Sequence, residues 1–176
     1  MKIISIIQRL INKYYKYELE NYVKKRLPTT KVFGKIYFEN GSLELGENVT
    51  IYPGVMFSGN GHVSIGNNVK IGKDTIIYAN KNGGVEIGNN TIIAAQSYII
   101  DSNHSIEKNE LISSQKLDSK KIFIGNDVWI GANCTIIKGS HIRDGAVIGA
   151  KSLVNNVIEE NSVAFGVPAS HYKFRE

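Results

Sequence analysis

A six-residue hydrophobic period constrains the fold of this 176-residue chain more than any other feature. Large apolar residues recur at every sixth position, and the residue two before each is uncharged and mostly small or β-branched. Residues two apart on a strand point to the same side, so both are expected to face inward. Periods of this length are typical of parallel β-helices. The anchors are Leu45, Ile51, Phe57, Ile65, Ile71, Ile77, Ile87, Ile93, Ile99, Ile124, Ile130, Ile136, Ile142, Ile148 and Val154.

The interruptions of the period follow a rule. Three hexapeptides complete one triangular coil, which predicts about five coils over roughly residues 43–159. Extra residues follow Phe57, Ile77 and Ile99, each of which ends a third hexapeptide, so all three insertions should leave the same corner. Glycine often follows an anchor, as at Gly72, where we expect it to serve a sharp turn.

The longest insertion carries a titratable side chain, His104, in Asp101-Ser-Asn-His-Ser. Function concentrates on loops that a rigid scaffold holds in place. We therefore predict the site along the edge that bears the tips at 59–62 and 79–82 and the His104 loop. An ordinary solvated loop histidine is the alternative interpretation.

Composition favours one domain without disulfides, because the chain has a single cysteine. Cys134 occupies an inward position of the repeat and is expected to be buried and inert. The net charge of +5 suits an anionic small ligand. It lacks the dense basic stripe of a nucleic-acid-binding protein, so no nucleic-acid partner is expected.

Apolar residues at three- and four-residue steps predict an amphipathic helix over residues 1–28, followed by a β-helix domain at 29–160 with a loop at 100–121, and a tail at 161–176. The apolar run is too short to span a bilayer and lacks a signal-peptide cleavage pattern, so we expect a cytoplasmic protein. The helix could pack on the coil base or on a neighbouring subunit. Alternatively, it could touch the inner, anionic membrane surface through Lys13, Lys16, Lys24, Lys25 and Arg26.

Three segments carry a family resemblance: Ile124-Gly-Asn-Asp-Val-Trp-Ile-Gly-Ala-Asn, Val147-Ile-Gly-Ala-Lys-Ser and Ala164-Phe-Gly-Val-Pro-Ala. With the His104 loop they resemble the hexapeptide-repeat acyltransferases, of the galactoside, maltose and surface-polysaccharide O-acetyltransferase types. The resemblance covers roughly residues 43–175. It implies an all-β, left-handed parallel β-helix, a homotrimer with sites between subunits, and acetyl-coenzyme A as donor without a metal.

The same resemblance assigns roles to the residues of the edge. His104 aligns with the family's catalytic histidine, which as a general base would take the proton of a sugar hydroxyl during direct acetyl transfer. Asp101 could orient the imidazole or simply form a turn. Asn80 resembles a substrate-binding asparagine, with a tight-turn residue as the alternative. Trp129 should point outward and resembles a groove-lining tryptophan, with trimer packing as the alternative.

Contacts to coenzyme A are implied at two sets of positions. Backbone amides at Ala132 and Ala150 match those along the pantetheine arm. The phosphate contacts match less closely, because Ser170 stands where the family often has a basic residue, and an asparagine pair replaces Thr-Lys. Lys173 could bind phosphate or be a solvated tail residue. The candidates for phosphate contacts are Lys151, Asn155, Asn156 and Lys173.

Three other functions are alternatives for a chain with this pattern. N-acetylation of an amino sugar, perhaps nucleotide-linked, would use the same chemistry. A carbonic anhydrase-like zinc site would need several histidines, but Asn109 stands where a second histidine close to His104 is expected. A non-catalytic trimeric scaffold has no evident use for the long His104 loop. The sequence therefore favours a sugar O-acetyltransferase of surface polysaccharide or glycolipid assembly.

Overall fold

The computed structural model describes residues 2–176, most of which lie in a solenoid of short strands. One helix, α1, spans Lys2–Val23, and a 3₁₀ turn spans Ile112–Ser114. Met1 lies outside the described residues. In chain order the strands are β1 (Lys31–Val32), β2 (Tyr37–Phe38), β3 (Ser42–Leu45), β4 (Thr50–Ile51), β5 (Met56–Gly59), β6 (His62–Ile65), β7 (Lys70–Ile71), β8 (Ile76–Ala79), β9 (Val85–Ile87), β10 (Ile92–Ile93), β11 (Tyr98–Ile100), β12 (Ser102–His104), β13 (Leu117–Ser119), β14 (Ile122–Ile124), β15 (Trp129–Ile130), β16 (Thr135–Ile137), β17 (His141–Ile142), β18 (Val147–Ile148), β19 (Leu153–Val154), β20 (Val157–Ile158), β21 (Ser162–Gly166) and β22 (Ala169–Phe174).

Three parallel sheets form the sides of the solenoid, which we name faces A, B and C. Face A contains β1, β4, β7, β10, β15, β18 and β21, with β22 returning antiparallel along β21. Face B contains β2, β5, β8, β11, β16 and β19, and face C contains β3, β6, β9, β14, β17 and β20. The chain passes through A, B and C in turn, which confirms the predicted parallel β-helix.

The coils extend beyond the predicted range of 43–159. Strands β1 and β2 add two sides of an earlier coil, in which Val32 pairs with Ile51. Phe38 and Leu45 are seven residues apart rather than six, so the period is broken where this coil joins the next. At the other end, β21 continues face A past residue 159.

The anchors and their inward partners fill the interior of the solenoid, as the period predicts. Several partners carry hydroxyl groups, and these are paired with the backbone of the next coil. The hydroxyl of Thr91 donates to the carbonyl of Gly125 at 2.8 Å, and that of Ser140 donates to the carbonyl of Val154 at 2.9 Å. The hydroxyl groups of Thr91 and Ser140 therefore enter the core with their hydrogen bonds satisfied.

Cys134 lies among these inward positions and is 1% exposed. Its Sγ lies 3.2 Å from the carbonyl oxygen of Gly149, and burial raises the pKa of the thiol above its ordinary value. The predicted buried cysteine is confirmed. Because the thiolate is the reactive form, the raised pKa makes Cys134 a poor nucleophile.

The glycines that follow anchors lie at the corners, as expected, but do not themselves adopt the left-handed conformation. The left-handed conformation falls two residues later, at Asp74 (φ 57°) after Gly72 and at Asn90 (φ 59°) after Gly88. A Cβ on Gly72 would instead lie 2.5 Å from the backbone nitrogen of Ala95 in the next coil. Glycine is therefore favoured at these corners by the close approach of successive coils rather than by a positive φ.

The C-terminal half of α1 covers the open end of the first coil. Leu19 is completely buried, and Tyr15, Tyr22 and Val23 pack against the same core. The Tyr22 hydroxyl lies 2.5 Å from the carbonyl oxygen of Gly41. The structure thus shows packing on the coil base. The helix ends at Val23, short of the boundary expected at residue 28. In the described chain, residues 2–176, no helix is long and apolar enough to cross a membrane.

Candidate active site

All three insertions of the repeat leave the solenoid at one corner. Each connects face B to face C: β5 to β6, β8 to β9, and β11 to β14. This arrangement confirms that the tips at 59–62 and 79–82 and the His104 loop share one edge. We refer to this edge as the B–C corner.

The His104 loop is an ordered hairpin rather than an irregular excursion. Strands β12 and β13 pair antiparallel, with His104 opposite Leu117. His104 ends β12 on the exposed side of the hairpin. Farther out, Ile106 and Leu111 are 80% and 76% exposed. The imidazole is therefore held by a sheet-like base and is accessible to an acceptor, beside an apolar loop end.

Asp101 lies at the foot of this hairpin and is completely buried. Its carboxylate accepts hydrogen bonds from the backbone N–H of Asn80, at 2.9 Å to each oxygen, and from that of Gly84. A Cβ on Gly83 would lie 2.2 Å from Oδ2, so glycine leaves room for the carboxylate. These contacts match the structural alternative, in which Asp101 shapes a turn. The role of Asp101 in orienting His104 stays a prediction.

Asn80 occupies the tip that Asp101 holds. Its Oδ1 accepts a hydrogen bond from the backbone N–H of Asn82 at 3.1 Å, which is the Asx turn expected of a tight-turn residue. This turn uses the side-chain oxygen. Within residues 2–176, no hydrogen bond engages the side-chain NH₂ group of Asn80, which lies at the same corner as His104.

Trp129 and the two alanines lie elsewhere on the triangle. Trp129 begins β15 on face A, is 55% exposed as predicted, and stacks in register between Ile92 and Val147. Ala132 and Ala150 follow at the corner between faces A and B. Because the B–C corner is opposite face A, one chain does not bring Trp129 and the His104 edge together.

The residues matched to phosphate contacts do not gather at one place in a single chain. Lys151 is exposed at the corner between faces A and B, whereas Asn155 and Asn156 lie at the B–C corner between β19 and β20. Lys173 is on β22, with its Nζ 3.6 Å from a carboxylate oxygen of Glu176.

Glu39 shapes the first tip and was not anticipated from the sequence. Its Oε2 accepts hydrogen bonds from the backbone N–H of Gly59 and from the Ser58 hydroxyl, both at 2.8 Å. The Gly59 hydrogen bond, followed by that of Ser58, lowers the pKa of the Glu39 carboxyl below its ordinary value. No short motif signals this role, because the contact depends on how successive coils align.

The histidines of the described chain have separate surroundings. The Nδ1 of His62 lies 2.8 Å from the Ser42 hydroxyl, and His141 packs its ring against Phe123. Across residues 2–176, no group of three or more His, Cys, Asp or Glu side chains is placed to hold a metal ion. The zinc-site alternative gains no support from this arrangement.

Known protein families match segments of the chain that lie in the solenoid. Residues 121–156 match the family model described as bacterial transferase hexapeptide (six repeats), and residues 62–100 match the hexapeptide repeat of succinyl-transferase. The putative lipopolysaccharide biosynthesis O-acetyl transferase WbbJ of Escherichia coli K12 is 35% identical over 148 residues, which cover 78% of this chain and 74% of the relative. The chain belongs to the hexapeptide-repeat acyltransferases. As a member of that family it is an acyl-transferring enzyme.

Two further acyltransferases are similar to this chain. The galactoside O-acetyltransferase of E. coli K12 is 36% identical over 148 residues, covering 75% of this chain and 68% of that relative. The N-acyltransferase AntD of Bacillus cereus, solved in complex with dTDP and 3-hydroxybutyryl-CoA, has a TM-score of 0.81 at 23% identity. Its match covers 91% of this chain and 88% of its own. The shared fold thus covers most of the chain.

Proposed function

We propose that this hexapeptide-repeat acyltransferase transfers an acetyl group from acetyl-coenzyme A to a sugar hydroxyl in surface polysaccharide or glycolipid assembly. The observation that carries the proposal is the hairpin that holds an accessible His104 at the same corner as the Asn80 tip. The acceptor class is supported by similarity to relatives named for lipopolysaccharide and galactoside O-acetylation.

In the proposed reaction, the neutral imidazole of His104 takes the proton of the acceptor hydroxyl as its oxygen attacks the thioester carbonyl. The tetrahedral intermediate collapses by breaking the C–S bond. The imidazolium then returns the proton to the leaving thiolate. No acyl-enzyme is needed, which agrees with the burial and raised thiol pKa of Cys134. The Asn80 side-chain amide would hold the acceptor.

We further propose that the enzyme is a homotrimer with face B at its centre. The outward side chains of face B carry no charge, and Tyr37, Ile76 and Tyr98 among them are 44%, 36% and 38% exposed. Packing face B around a threefold axis places the B–C corner of one copy beside the A–B corner of the next. His104 of one copy would then meet Ala132 and Ala150 of its neighbour.

The alternative acceptor is the amine of an amino sugar. The N-acyltransferase AntD has the same fold, so the fold is compatible with both acceptor classes. A hydroxyl depends more on a general base than an amine whose nitrogen is already nucleophilic when neutral. We favour the hydroxyl because O-acetyltransferases are the more similar relatives in sequence. A cytoplasmic location stays a prediction.

The direct test is release of coenzyme A, measured over a panel of hydroxyl- and amine-bearing sugars. We expect turnover with a sugar hydroxyl. We also expect His104→Ala to lower turnover by at least ~10²-fold while leaving coenzyme A binding intact, because the base acts in the chemical step. Calorimetry with coenzyme A supplies the second readout.

His141→Ala is the matched control, since this histidine is on face C and packs on Phe123. It should keep turnover near that of the parent. Near-normal turnover of His104→Ala on the best acceptor would remove His104 from the mechanism. Turnover confined to amines would replace the hydroxyl acceptor with the alternative.

A further inference from the structure

Helix α1 has two apolar surfaces, and the solenoid covers one of them. The buried or partly buried residues that pack on the core, Tyr15, Leu19, Tyr22 and Val23, belong to its C-terminal half. The N-terminal half carries a second set of apolar side chains that the described chain leaves exposed. They are Ile3 and Ile4 (both 73%), Ile6 (55%), Ile7 (51%), Leu10 (60%), Ile11 (39%) and Tyr14 (56%).

The two surfaces point in different directions. At about 100° per residue, the exposed set centres about 120° around the helix from the packed set. The exposed set, which we name the distal stripe, thus has its centre off the packing face, with only Ile4 and Ile11 at its edge in line with Tyr15 and Tyr22. It runs for roughly 18 Å at 1.5 Å per residue. A stripe of this width on a surface helix requires its own partner.

The charges beside the distal stripe indicate the partner. Residues 2–17 contain no Asp or Glu, and the first acidic residue is Glu18. Arg9 and Lys13 lie on one flank of the stripe at helical spacing, and both are exposed. Cations on the flank of an apolar helix face can extend to lipid phosphates while the apolar side chains enter the acyl boundary.

We propose that the N-terminal half of α1 lies in the interface of an anionic membrane and holds the solenoid beside it. A second copy of this chain is a poorer partner, because packed stripes would bring Arg9 and Lys13 near their equivalents without an acidic partner in residues 2–17. The helix does not span the bilayer. This inference is independent of the acetyl-transfer proposal, since it concerns only where the enzyme resides.

The test is vesicle flotation of the full chain with phosphatidylcholine alone and with added phosphatidylglycerol. We expect binding to the anionic vesicles, weakened by added salt because the attraction is screened. Arg9→Gln with Lys13→Gln should lower the partition coefficient roughly 30-fold. Ile7→Gln with Leu10→Gln should abolish binding, and circular dichroism should show that the helix remains.

Lys70→Gln with Lys73→Gln is the matched control, because it removes the same charge from face A and its adjoining corner. It should leave partitioning within about twofold. Failure of the parent chain to bind anionic vesicles would overturn the proposal. So would a fall in oligomeric mass of the Ile7→Gln, Leu10→Gln variant in vesicle-free buffer, because the distal stripe would then be a contact between copies.

Discussion

Asp101 links the His104 hairpin to the Asn80 tip through one buried carboxylate. It lies in the chain just before β12, and its oxygens hold the backbone of Asn80, which is 21 residues earlier. A small movement of either element would change the distance between His104 and the Asn80 amide. We therefore expect Asp101 to act by positioning Asn80 rather than by direct contact with the imidazole.

Replacing Asp101 with Asn distinguishes the two roles. The amide cannot accept all the hydrogen bonds that the carboxylate accepts, so a backbone donor of the Asn80 tip loses its partner. We expect KM for the acceptor to rise about tenfold, with a smaller change in kcat and an unchanged pH profile. Steady-state kinetics over a pH series provides the measurement.

Asp118→Asn serves as the control, because it removes a carboxylate from the same loop, where Asp118 pairs with Lys138 at the surface. It should leave KM close to that of the parent. If Asp101→Asn instead lowers kcat and shifts the pH profile with KM unchanged, Asp101 orients His104.

At the scale of the coil, glycine permits the close approach of neighbouring coils at the corners. Successive coils approach so closely at Gly72 that a methyl group would contact backbone, which cannot be relieved by a side-chain rotation. The left-handed residue two positions later completes the turn. Two residues therefore serve such a corner. The glycine leaves room for the backbone of the next coil, and the Asn or Asp two positions later adopts the left-handed conformation of the turn.

Gly72→Ala should destabilise the protein by about 1–3 kcal/mol, because the coils must separate to accept the methyl group. Urea unfolding monitored by circular dichroism measures the loss. Lys73→Ala is adjacent, exposed and paired with Asp74 across a weak surface contact, so it should change stability by less than about 0.5 kcal/mol. Equal stability of the two variants would show that the contact at Gly72 relaxes freely.

The inward anchors were predictable from the six-residue period. The shared corner of the insertions was predictable because each insertion follows a third hexapeptide. The same count puts Trp129 in the second hexapeptide of its coil, on face A and away from His104. The partners of Asp101 and Glu39 were not predictable. Their contacts join residues about one coil apart in sequence, and insertion lengths set which backbone groups meet. The distal stripe of α1 has helical periodicity, but only the folded chain shows which part stays uncovered.

Across the whole molecule, the three faces differ in chemistry. Face C displays charged and polar groups such as Glu44, His62 and Glu86, whereas the outward positions of face B carry none with a charge. Because His104 and Trp129 occupy opposite sides of one triangle, a complete site requires two copies in the arrangement proposed here. Assembly and activity should therefore be lost together.

Ile76→Lys places a charge at the centre of face B and should convert the trimer to monomers, because an unpaired buried ammonium opposes packing. Acetyl transfer should fall at least roughly tenfold, since each site loses the residues that the neighbouring copy contributes. Sedimentation velocity and coenzyme A release provide the two measurements. Ser64→Lys adds the same charge on face C and should preserve both. A monomeric parent enzyme with full activity would exclude the inter-subunit site.

The helix that covers the first coil also limits how copies of this molecule can stack end to end. A stack of parallel rungs exposes unpaired N–H and C=O groups at its ends, and such ends can template the addition of another stack. Every head-to-tail junction would join the N-terminal end of one stack to the C-terminal end of another. Helix α1 buries Leu19 against the first coil and so covers the N-terminal end of the stack in every copy. Blocking a single end is therefore enough to prevent head-to-tail filaments.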